Sequence, residues 1–148
     1  MSQANNPAQA YQSADEIEEI VRRFERCTLG AAEFRHREHL TVIAWYLSEL
    51  PTPEAAAARM REGLYKFLAQ HGHGSQKYHE TITLFWAKRV SALLRQAGRE
   101  QHLAELTNKV IEICGDAGLV HNYYSRELLA SDEARKEWVE PDLQPLDF

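Results

Sequence analysis

Apolar residues recur along most of this chain at the three-to-four spacing of a helix that faces a core, and the punctuation between runs is helical. Ile17, Ile20, Val21 and Phe24 follow a capping box at Ser13-Ala14-Asp15-Glu16, and Gly30 lies past the end of that run. A second helix is predicted from about Ala32 to Leu50, where Pro51 stops it. Thr52-Pro53-Glu54 is a helix start, with a capping hydroxyl, Pro in the first turn and an acid against the dipole. The third helix carries Met60, Leu64, Phe67 and Leu68 and ends near Gly72. A fourth spans about Tyr78 to Ala97, with Gly98 as its stop, and a fifth about Arg99 to Cys114, with Gly115 as its stop. Ser131-Asp132-Glu133 caps a short last helix that ends near Val139, before Pro141 and Pro145.

No segment alternates with period two over strand length. The β-branched triplets Thr41-Val42-Ile43 and Thr81-Ile82-Thr83 sit inside longer helical patterns, which decide. Short loops favour antiparallel neighbours. The expected fold is all-α, an up-down bundle of five main helices plus a short C-terminal one. Residues 1–12 read as a disordered polar tail, and 13–148 as a single domain with an extended C-terminal segment.

Composition narrows the function more than the fold. The chain has 148 residues, 44% hydrophobic and 26% charged, enough for one domain with a real core. A net charge of −5 with no Lys/Arg run argues against nucleic-acid binding. No apolar stretch approaches the roughly 18 residues of a membrane span, and the start lacks a signal-peptide pattern. Cys27 and Cys114 have no framework spacing, so reduced thiols in a cytoplasm are expected.

The unusual count is seven histidines. His36 and His39 share one side of the second helix, a side that continues as Leu40, Ile43 and Leu47. His79 continues into Ile82, Thr83, Trp86 and Val90, the apolar stripe of the fourth. In an up-down bundle the second and fourth helices run parallel, which places all three imidazoles at one pole. Cys27, His71, His73, Cys114 and His121 arrive there as neighbours, and whether any of them joins the site is left open.

Three imidazole nitrogens form a facial set for a divalent transition metal, with zinc, iron, copper and nickel all accepting such ligands. The expectation is a mononuclear metal site on His36, His39 and His79 in an enzyme acting on a small molecule. The H-E-x-x-H pattern of zinc proteases is absent, and Gln76 stands where a di-iron motif needs Glu. Tyr78, Thr83 and Tyr124 are the catalytic candidates, and Lys77, Arg126 and Arg135 would receive an anionic substrate. Trp138, Leu143 and Leu146 would dock on the bundle or on a second subunit in a homodimer. Two other classes compete: a non-catalytic interaction or regulatory module whose histidines are hydrogen-bonded core residues, and a metal-sensing or metal-handling protein.

Overall fold

The computed structural model describes residues 10–98 and 102–148. Five long helices carry the fold: α1 (Ala14–Glu25), α2 (His36–Glu49), α3 (Pro53–Gln70), α4 (Glu80–Ala97) and α5 (Leu103–Cys114). Two short ones follow, α6 (Arg126–Leu129) and α7 (Asp132–Lys136), and 3-10 turns cover Ser75–Lys77 and Ala117–Asn122. Among the described residues there is no strand, and no helix is long and apolar enough to cross a membrane.

The caps set the boundaries. Glu16 accepts from the Ser13 amide at 3.3 Å, and Thr52 Oγ1 accepts from Ala55 N at 3.1 Å, opening α1 and α3. Cys27, rather than Gly30, ends α1. It sits at φ 58°, and the Thr28 amide reaches back to Arg23 O at 2.9 Å in a Schellman closure. Gly72, at φ 79°, ends α3 in the same way, with His73 N on Leu68 O at 2.8 Å.

Two helices start later than the apolar pattern suggests. Gly30 and Glu33 close a turn on each other, with Glu33 N on Gly30 O at 3.0 Å and Gly30 N on Glu33 Oε1 at 2.8 Å. The chain then stays extended to Arg35, and α2 begins at His36. His79 is the N-cap of α4, so Tyr78 and His79 lie outside that helix. The start expected for the fifth helix at Arg99, and the tail over residues 1–9, fall outside the described residues. Tyr11 is buried, exchanging two backbone bonds with the Asn108 side chain at 2.8 and 3.0 Å.

α2 is the central element, packing against α1, α3, α4 and α5. Leu40, Thr41, Val42, Ile43 and Ala44 are consecutive and all buried, so this helix has no polar face over that stretch. Between α1 and α3 the approach is close enough that Gly63 has no room for a side chain: a Cβ there would stand 2.5 Å from the Phe24 ring.

The C-terminal segment straps onto α4. Thr81 Oγ1 donates to Ala134 O at 2.7 Å, and Tyr124 OH donates to Val139 O at 2.7 Å. Asp142 accepts from Ser125 N and Oγ at 2.8 and 2.6 Å, and Phe148 lies edge-on to Phe85 at 5.6 Å. Of the three side chains expected to dock, Trp138 and Leu146 pack against the core, whereas Leu143 is exposed.

Candidate functional site

A cavity of about 510 Å³ opens where the start of α2 faces the start of α4. Phe34 and Arg35 lead into it from the loop before α2, followed by His36 and His39 on the first turn. Met60, Leu64 and Phe67 of α3 form the apolar floor. Lys77, Tyr78 and His79 approach from the turn before α4, and Ile82, Thr83 and Trp86 continue along that helix. His121 enters from the second 3-10 turn.

The helix phases explain this meeting. A residue in the first turn of a helix shares a face with those three and four places on, so His36 and His39 follow the buried stripe of α2 inward. His79 is aimed by its capping bond instead: its Nδ1 accepts from Ile82 N at 3.2 Å.

Each ring has a defined hydrogen-bonding state. Carbonyl oxygens only accept, so the nitrogen facing one carries the proton. His36 Nε2 donates to Cys114 O at 2.8 Å, and its ring meets Trp86 edge-on at 4.7 Å. His39 Nδ1 donates to Arg35 O at 2.9 Å, and its ring packs on Phe34 at 4.1 Å. Burial holds the His39 pKa down at about 4, against a weaker upward pull from the Arg35 carbonyl. The ring is therefore neutral near pH 7 and keeps Nε2 as an acceptor. His79 Nε2 donates to Leu129 O at 2.7 Å, so both its nitrogens are taken up, and burial lowers its pKa as well. His121 Nδ1 is buried without a hydrogen-bond partner among the described residues.

These bonds correct the metal expectation. Among the described residues no group of three or more His, Cys, Asp or Glu side chains could hold a metal ion. The three-histidine site, and the metal-dependent enzyme or metal-handling protein built on it, is overturned. His79 has no lone pair left to offer, so at most His36 and His39 could contribute one nitrogen each, short of a three-ligand set. His36, His39 and His79 line one cavity without forming a ligand set.

The remaining candidates separate. Tyr78 and Thr83 line the cavity, but Thr83 Oγ1 donates to His79 O at 2.9 Å and Tyr78 OH donates to Glu80 at 2.7 Å. Burial, with Glu80 adding to it, pushes the Tyr78 phenol up. Tyr124 is fully buried and belongs to the C-terminal strap, not to the cavity. His71 packs at a tilt on Phe67 at 4.4 Å and bonds Leu29 O at 3.3 Å, outside the lining, and His73 is exposed. Cys27 serves the end of α1, while Cys114 is buried and contributes only its carbonyl.

No family model, no curated protein and no solved structure matches the chain. The site is read from its own residues.

Of the cations expected to meet an anion, Lys77 lines the cavity and Arg126 does not. Arg135 lines a separate cleft of similar size with Arg61 and Glu80, and Tyr78 is the residue common to both. Arg35 also lines the main cavity, and its lining contains no carboxylate. The Phe34, Phe67 and Trp86 walls were invisible as site residues, because an aromatic on an apolar stripe has the same signature whether it packs or faces a hole.

Proposed function

We propose that this protein binds a small, mainly apolar organic molecule in the cavity at the starts of α2 and α4. The observation that carries it is a preformed cavity of about 510 Å³ whose wall is apolar and aromatic except for a few convergent polar atoms. That is the anatomy of a small-molecule site, and the volume is within the range of drug-sized ligands. The polar atom best placed to orient an occupant is His39 Nε2, a neutral acceptor on a ring whose other nitrogen is bonded to Arg35. A ligand hydroxyl or N–H complements it. The same reading takes the five long helices to alternate in direction, which accounts for two helix starts sharing one cavity.

A neutral solvatochromic dye, Nile red, tests the cavity without presupposing a charged ligand. One saturable site is expected on the full chain. Ile82→Trp fills the space and should abolish the fluorescence rise while circular dichroism stays helical. Unchanged dye binding in a folded Ile82→Trp protein overturns the reading.

A further inference from the structure

The cavity's walls, charges and free lone pair define what it would hold. We infer that its ligand is a planar aromatic carboxylate carrying a hydroxyl or N–H on the ring system, a deepening that rests on the small-molecule reading above.

Ring surface dominates the wall. Phe34, Phe67 and Trp86 face the space together with the imidazoles of His36 and His39. The neighbouring rings already pack against one another, Phe34 on Phe67 at 4.9 Å and His36 on Trp86 at 4.7 Å, so they are held in place before a ligand arrives. Flat faces favour a flat partner through stacked or edge-on contact.

Charge selects among flat molecules. Arg35 and Lys77 are the formal charges of the lining, with no Asp or Glu to receive an amine. Arg35 is also the N-cap of α2, and its amide donates to Glu38 Oε1 at 3.0 Å, so a first-turn carboxylate already answers that helix's positive end. The selection therefore rests on the two side-chain cations of the lining and not on the α2 dipole. An anionic group at this end of the cavity is favoured, and a cationic amine is opposed.

His39 then fixes the opposite requirement. Its Nδ1 proton is committed to Arg35 O, so Nε2 offers a lone pair and no proton. A carboxylate cannot satisfy it, whereas a phenolic or heteroaromatic donor can. Anion and donor on one flat framework meet both demands.

Isothermal titration of the full chain with four probes tests this: hydroxynaphthoate, methoxynaphthoate, hydroxynaphthamide and decanoate. Hydroxynaphthoate should bind tightest. Methylating the hydroxyl should weaken binding about tenfold, because the ligand would then cover the His39 acceptor without pairing it. The amide should bind several-fold more weakly at low salt, with the gap closing as salt rises. In His39→Leu the hydroxy and methoxy acids should bind alike, and in Lys77→Met the acid and amide should converge. Equal affinity of the methoxy acid or the amide in the native chain, or tightest binding of decanoate, overturns the ligand class. Probes that all bind without preference, yet are all excluded by Ile82→Trp, overturn the class and leave the small-molecule reading standing. If none binds, the class falls, and the dye experiment decides the broader reading separately.

Discussion

His79 joins α4 to the C-terminal strap with one ring: Nδ1 caps Ile82 N at 3.2 Å and Nε2 holds Leu129 O at 2.7 Å. Losing both should cost about 2 kcal/mol, a cap of about 1 plus a partly buried hydrogen bond of similar size. His79→Ala is expected to show that loss in urea denaturation. Asn at the same position can cap but cannot reach Leu129, so His79→Asn should recover about half. Equal losses in the two variants would show that the capping bond contributes nothing.

Gly63 pits propensity against packing. Ala in a helix interior gains about 1 kcal/mol over Gly. Here its methyl would stand 2.5 Å from Phe24, a fully buried ring stacked on Phe34 at 4.7 Å. Overpacking of this kind costs about 1–3 kcal/mol. Gly63→Ala should therefore lower the melting temperature, and a rise would mean that the Phe24 ring can move aside.

Cys27 lies at φ 58° at the end of α1, where an L side chain is strained and glycine is not. Cys27→Gly should stabilise the protein by up to about 1 kcal/mol, seen as a higher urea midpoint with unchanged slope. The same substitution at Cys114, which is fully buried, should destabilise instead.

The depressed His39 pKa makes stability fall with acid. Above pH 6.5 the ring is neutral whether folded or unfolded, and its contribution is fully present. As pH falls from there towards about 4, the unfolded chain takes up a proton that the folded ring refuses, so stability is lost. The loss attributable to this ring reaches at most about 3 kcal/mol. His79 acts in the same direction. Denaturation curves across pH 4 to 7.5 should be flatter for His39→Gln than for the native chain, and parallel curves would refute the assignment.

Helix existence was legible because caps are local: Ser13, Thr52 with Pro53, and Ser131 each open a helix within a few residues. The inward phase of His36, His39 and Ile82 was legible for the same reason. The late start of α2 was not, since Glu33 closes a turn on Gly30 instead of extending the helix. The short α6 was missed because it is one turn long and its cap, Ser125, is itself held by Asp142. The metal reading failed on a tertiary detail: helix phase shows where an imidazole points, but not which nitrogen a distant carbonyl has taken.

Those two carbonyls also order the assembly of the cavity. The His36–Cys114 bond bridges 78 positions and the His79–Leu129 bond 50, so the first ring is not locked until the chain through Cys114 has packed, nor the second until Leu129 has. A fragment ending at Ala97 would contain the three core-facing imidazoles and most of the aromatic wall, yet two of the rings would lack their anchors. The binding space is thus a product of the completed fold, and ligand affinity would report on whether folding has finished.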